Sequence, residues 1–337
     1  MISGFVEASA PARVDLAGGT LDLWPLHALH PGSVTVNLAI DRRATCRVWK
    51  RARGVHLVAA DRGIDVEAGS GRELLADART ALVGALVEEL SPQGGLEIEF
   101  ESGVPYGSGL GGSSALAVAV AAALSRISGN SLDGAGGVEF VRDVETRVLG
   151  KPAGVQDYYP AFAGALHCLW FETGRTVDER RDVDPDEWDA HLTLFDTGAA
   201  HSSGMNNWEV FRRRLEGDEG VARSLEKVAA AAREMAAAAR ESQFPAMGHA
   251  LKEEWEARRE LAPVVSSPGI ERAVAAALEA GAWGGKACGA GGGGCVVFLS
   301  PAERTAAVRE VLEGLGQGRV LPVRAEPRGL LVSYRAA

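Results

Sequence analysis

The segment that most constrains the fold is PYGSGLGGSSA, running from Pro105 to Ala115. Gly107, Gly109, Gly111 and Gly112 fall close together in it, so the backbone can turn its N–H groups outward with no Cβ in the way. Before it, Leu96, Ile98 and Phe100 alternate with Glu97 and Glu99, the pattern of a strand with one wet face. After it, Ala115 to Leu124 is nearly pure apolar sequence, too short to cross a bilayer and suited to a helix buried almost all round. A glycine loop feeding a helix N-terminus is an anion site, because amides and helix dipole act on the same point. Pro105, Gly107, Ser108, Gly109, Leu110, Gly111, Gly112, Ser113 and Ser114 are therefore the candidate phosphate contacts. Ser113 and Ser114 could instead cap the helix, but a cap alone does not account for the glycines.

Two familiar phosphate loops fit badly. A Walker A loop ends in Gly-Lys-Ser/Thr, and this one ends Gly112-Ser113-Ser114. Gly107, Gly109 and Gly112 satisfy GxGxxG, but a dinucleotide fold wants a preceding strand buried on both faces. A nicotinamide-dependent oxidoreductase stays a rival on that motif alone. The net charge of -10 argues against a nucleic-acid partner. The start of the chain shows no basic, apolar secretory pattern, so a cytoplasmic protein without a membrane partner is expected. Cys46, Cys168, Cys288 and Cys295 form no CxxC pair and read as reduced core thiols.

A chain of 337 residues predicts two domains with a cleft between them. Strand-like runs at Phe5 to Ala8, Thr35 to Leu38, Thr45 to Trp49 and Leu96 to Phe100 predict a largely antiparallel first sheet. A helix is expected from Gly137 to Leu149, stopped by Gly150 and Pro152. The charged stretch from Gly174 to Asp189 lacks useful periodicity, and the boundary is placed there, giving domains 1–178 and 179–337. Trp208 to Leu261 reads as several helices broken at Gly217 to Gly220 and at Pro245, its alanine run serving close packing. Gly284 to Gly294 then leads into a strand from Cys295 to Leu299.

Taken with PARVDLAGGTLDL near the N-terminus and GGKACGAGGGG near the C-terminus, the loop resembles the three motifs of the GHMP kinases, in order and over nearly the whole chain. The resemblance implies an α+β fold: an N-terminal domain like the second domain of ribosomal protein S5 and a ferredoxin-like C-terminal domain. Mg2+ and ATP would lie between them. It implies Ser113 as the loop serine meeting magnesium and phosphate, with Ser114 second, and Glu145 as the magnesium carboxylate. Asp157 matches the aspartate offered as base to the acceptor hydroxyl. Arg13 stands where the family's sugar kinases carry arginine and mevalonate kinases usually carry lysine. A guanidinium there would steady both Asp157 and the transferring phosphoryl. Asp22 resembles the aspartate that hydrogen-bonds sugar hydroxyls in galactokinase-like members, although the histidine and glutamate of the galactokinase motif are absent. The start of the chain and the Asp157-Tyr158 turn are nearest to kinases of heptose phosphates and fucose.

The expected function is thus ATP-dependent phosphorylation of a hydroxyl on a small sugar or sugar phosphate. A mevalonate-type isoprenoid alcohol kinase and a non-catalytic nucleotide-binding regulator stand as alternatives. Glu145 could otherwise be a solvated helix carboxylate and Asp157 a turn cap. Gly284 to Gly294, with Lys286 as a charge partner, would close over the phosphates or support the first loop; tight packing ahead of the Cys295 strand serves equally. His201, with Ser202, Asn206 and Asn207, offers hydrogen bonds to an acceptor, or else begins a helix. A homodimer is an open assembly.

Overall fold

The computed structural model describes residues 4–90, 93–132, 134–199 and 203–336, the side chains of residues 135, 203–206 and 336 excepted. The first part comprises β1 (Gly4–Ala17), α1 (Leu26–Leu29), β2 (Val34–Arg51), β3 (Val55–Ala59), β4 (Ile64–Ala68), α2 (Gly71–Leu74), α3 (Ala81–Leu90) and β5 (Gly95–Glu101). Then come α4 (Gly112–Ile127), α5 (Gly134–Leu149), α6 (Tyr158–Ala163), β6 (Leu166–Glu172) and β7 (Arg175–Arg181). The second part comprises α7 (Pro185–Asp189), β8 (Leu192–Asp196), α8 (Ser203–Leu215), α9 (Glu219–Arg240), α10 (Phe244–Arg258) and α11 (Pro268–Glu279). It ends with β9 (Gly284–Ala287), β10 (Cys295–Leu299), α12 (Ala302–Glu313), β11 (Arg319–Leu321) and β12 (Leu331–Ala336).

The first sheet runs β12-β1-β2-β5-β3-β4, with β6 also on β2 and β7 outside β6. Its pairings are antiparallel except β3 with β5. The two expected strands at Thr35 and Thr45 are one: β2 breaks its pairing with β1 at a bulge over Asp41 and Arg42, where its alternation fails, and resumes it at Arg43 opposite Pro11. On its other edge β2 pairs β6 at Val34–Leu38 and β5 at Thr45–Arg51. The chain leaves β5 for the glycine loop at the opening between them, where Gly103 lies against the Arg43 backbone. The wet face of β5 is as read: Leu96, Ile98 and Phe100 are buried and Glu99 is exposed.

The charged stretch after Gly174 contains β7, an edge strand whose alternate charged residues face water, so a cut at 178/179 would pass through it. The sheets divide the chain otherwise: β1 to β7 with β12 build the first, and β8 to β11 the second, in order β11-β8-β10-β9. One face of the first sheet packs on α4, whose residues from Ser114 to Ser125 are all buried. Its other face shares a core with the second sheet and with α9 and α10, through Val14, Leu38, Ala236, Leu251, Leu194 and Val297. Val296 and Phe298 face the opposite way, onto α11 and α12. The alanine run is packing, with Ala232, Ala236 and Ala239 buried in the shared core, and Pro245 sits in the first turn of α10. The four cysteines are free and buried, and burial pushes the Cys168 and Cys288 thiols up to about 12.

Candidate active site

Strand alternation builds the site's floor. Along β1, Ala12, Val14 and Leu16 enter the shared core, which turns Arg13 and Asp15 to the other side of the pleat. Arg13 then binds the glycine loop twice, its N–H donating to the Leu110 carbonyl at 3.0 Å and its guanidinium to the Gly109 carbonyl at 2.6 Å. The same guanidinium donates to Asp157 Oδ1 at 2.8 Å through Nε and lies 2.6 Å from it through a terminal nitrogen. Burial opposes the Arg13 charge, but Asp157 and Asp15 together more than offset it and hold the group above its ordinary value.

Within the loop Gly107, Gly109 and Gly111 are all left-handed. Gly111 is the N-cap of α4, and a Cβ on it would come 3.3 Å from the Asp157 carboxylate. The serines are not caps. Ser113 Oγ donates to Glu145 Oε1 at 2.9 Å and Ser114 Oγ to Glu145 Oε2 at 3.0 Å, with Asp157 Oδ2 3.4 Å away. Tyr158, marked in the sequence only as part of a turn, donates its hydroxyl to Glu145 Oε2 at 2.6 Å. Glu145 is buried, not a solvated helix carboxylate. Burial raises its pKa, against the three hydroxyls that favour the charged form. Asp157, 23% exposed at its side chain, remains open to a ligand.

Asp22 reaches the same region through the turn ahead of α6. It accepts the Gln156 N–H at 3.1 Å and lies so close to Gly154 that a side chain there would strike its carboxylate. Burial pushes its pKa up to about 6, helped by the charges of Asp157 and Asp15 and opposed by the Gln156 hydrogen bond. His201 and Ser202 lie outside the described residues. Asn207 accepts the Thr20 hydroxyl at 3.0 Å, which ties α8 to the turn carrying Asp22.

The third glycine-rich element supports the first. Cys295 N–H donates to the Ser108 carbonyl at 2.8 Å, and a Cβ on Gly294 would stand 2.6 Å from that oxygen. Lys286 is no phosphate partner: it is fully buried, 3.1 Å from Asp15 Oδ2 and 3.2 Å from Glu254 Oε1. Asp15 meets Lys286 as an ionic approach without hydrogen-bond alignment, and the charges of Lys286, Arg258 and Arg13 outweigh burial to keep its pKa low. Of this group, Asp15 had a readable signal, lying two residues from Arg13 on the same face of a strand. Glu254 and Arg258 gave only an (i, i+4) charge pair on a helix, which is ordinarily a surface feature.

A cavity of about 480 Å³ opens where the loop begins, lined by Arg42, Arg62, Val104, Tyr106 and Leu321 among others. Tyr106 is 84% exposed beside it. The donor set suits Mg2+, with one hydroxyl and one carboxylate of hard oxygen meeting at the N-terminus of α4. No cluster of three or more His, Cys, Asp or Glu side chains able to hold a metal occurs among the described residues. Such an ion would draw its other ligands from phosphate and water. Nor is any helix among the described residues long and apolar enough to cross a membrane.

Residues 78–165 match the model of the GHMP kinases N terminal domain, and residues 235–317 that of the GHMP kinases C terminal. The D-glycero-alpha-D-manno-heptose 7-phosphate kinase of Campylobacter jejuni is 25% identical over 304 residues, 87% of this chain and 89% of that one. A mevalonate kinase of Thermococcus sibiricus is 28% identical, covering 89% and 90%. The galactokinase of Mycobacterium tuberculosis is 27% identical, covering 96% and 95%. Among solved structures, a D-glycero-D-manno-heptose 1-phosphate kinase from Bacteroides thetaiotaomicron superposes with a TM-score of 0.78 at 21% identity, over 97% of this chain and 98% of that one.

Proposed function

The chain belongs to the GHMP kinases, and from that membership we propose that this ATP-dependent kinase phosphorylates a hydroxyl of a sugar or sugar phosphate, with Asp157 as the base. The observation that carries the reading is the single guanidinium of Arg13, bonded both to the phosphate loop at Gly109 and to Asp157. It sets the base beside the place where a γ-phosphoryl would lie. Asp157 takes the proton of the acceptor hydroxyl as its oxygen forms a bond to phosphorus and the bond to the leaving ADP breaks. Arg13 orients the carboxylate and offsets negative charge on the phosphoryl oxygens.

Ser113 and Glu145 would hold Mg2+, which supplies charge neutralisation when bound. The cavity beside Tyr106 is continuous with the loop and would take the nucleoside end of the donor. A sugar is favoured over a mevalonate-type alcohol by Asp22, a buried carboxylate beside Asp157 that suits a substrate with several hydroxyls to donate. The overall identity to the mevalonate kinase does not by itself separate the two.

The test is substrate-dependent ADP release from Mg-ATP across aldoses, 6-deoxy sugars, heptose phosphates, uronic acids and mevalonate. One sugar or sugar phosphate should be turned over, and Asp157→Asn should lower kcat by on the order of 100-fold or more while nucleotide binding persists. Turnover of mevalonate alone would replace the sugar reading. ATP binding with no turnover of any acceptor would favour a nucleotide-binding regulator.

A further inference from the structure

The buried ionic group of Asp15, Glu254, Arg258 and Lys286 has no part in the steps above, yet burying four charged side chains is costly unless something requires them. Arg258 closes α10 and reaches across to the turn after β1. Its guanidinium donates to the Gly19 carbonyl at 2.7 Å and to Thr20 Oγ1 at 3.2 Å, while Glu254 accepts from Arg258 at 2.9 Å and from Gly18 N–H at 3.3 Å. The last turn of one helix thus grips three consecutive residues of the turn that leads to Asp22.

That turn needs gripping. Thr20 has φ +77°, a left-handed conformation that β-branched residues rarely adopt and that persists only when the surroundings enforce it. The turn continues through Leu21 N–H to the Gly18 carbonyl and Leu23 N–H to the Thr20 carbonyl, so the backbone that fixes Thr20 also fixes Asp22. Thr20 passes the contact on, donating its hydroxyl to Asn207.

We propose that Arg258 is a positioning residue for the phosphoryl acceptor, holding Thr20 in its strained conformation so that Asp22 stands opposite Asp157. This rests on the sugar-kinase reading for the identity of the acceptor but not for the geometry. Arg258→Lys keeps the charge and loses the planar reach to two acceptors. It should raise the KM for the acceptor on the order of tenfold and leave the KM for ATP within about twofold. Thr20→Gly, which accepts a left-handed backbone freely, should cut the penalty of Arg258→Lys to under about threefold when the two are combined. Hydrogen exchange of residues 18–26 should quicken in Arg258→Lys while residues 105–115 are unchanged. Equal rises in both KM values, or unchanged exchange at 18–26, would overturn the proposal. If wild-type enzyme turns over nothing in the panel, the sugar-kinase reading fails and the exchange comparison alone decides this one. If Arg258→Lys is insoluble, Thr20→Ala carries the same test, since it leaves the Arg258–Glu254 pair in place.

Discussion

Asp22 shows how a residue can be kept at a cost to the fold. Burial, its largest influence, lifts its pKa from the ordinary 3.8 to about 6. A carboxyl raised in this way binds its proton more tightly folded than unfolded. Its contribution to stability is full below the unfolded value near 3.8 and is lost as pH rises through about 6. The loss is on the order of 2–3 kcal/mol, an order-of-magnitude figure from the size of the shift. Asp22→Asn keeps an oxygen for the Gln156 N–H and removes the ionisation, so it should melt at higher temperature than wild type at pH 8 and at nearly the same temperature at pH 4. Melting curves of both proteins at the two pH values test this, and an equal offset at both would remove the ionisation argument. An acceptor hydroxyl donating to this carboxylate would add to the hydrogen bond from Gln156 N–H and favour the charged form at neutral pH. Arg13, Asp22 and Ser113 can be picked out in the sequence because each stands within a recognisable motif, and Glu145 and Asp157 because the family resemblance extends to their segments. Arg258 could not, since its contact with Gly19 joins residues far apart in sequence and nothing local marks it.

At the scale of elements, the third glycine-rich segment acts as a brace for the first. Gly294 has φ +74°, and a Cβ there would meet the Ser108 and Gly107 carbonyls at 2.6 and 2.8 Å. Gly294→Ala should therefore displace the phosphate loop and lower kcat/KM for ATP by about 100-fold, the scale expected when a catalytic element shifts by about 1 Å. Gly129→Ala separates this from backbone strain, being equally left-handed at φ +84° with open space around the added carbon. It should lose stability and leave ATP kinetics alone. If both variants behave alike, the brace has no role of its own. In the sequence this segment fits a phosphate lid, a support for the first loop or a packing device, because glycine permits each, and only its three-dimensional neighbour decides. The same limit applies to β7, a charged run without useful periodicity that reads as a domain boundary until β6 is known to lie beside it. β5 and α4 were legible because apolar periodicity and burial coincide there.

Across the whole molecule, two sheets share one apolar layer, so a split into independent halves is a poor description of how it should unfold. Val14 and Leu38 of the first sheet and Leu194 and Val297 of the second are all fully buried in that layer with α9 and α10. The glycine loop, Arg13 and Asp157 belong to the first sheet's side, and Arg258, Lys286 and the Gly294 brace to the second. The site therefore exists only while the layer is intact. Leu194→Ala should cost about 2–5 kcal/mol, the range for a buried leucine, without touching any site residue. Because the layer is shared, the loss should fall on both halves at once. Hydrogen exchange in β2 and in β10 should accelerate together, and far-ultraviolet circular dichroism and tryptophan fluorescence should report one melting transition. Acceleration confined to β10, or a second transition at the wild-type temperature, would mean that the first sheet stands without the second. Arg258 and Gly294 would then act across an interface that opens separately from either fold.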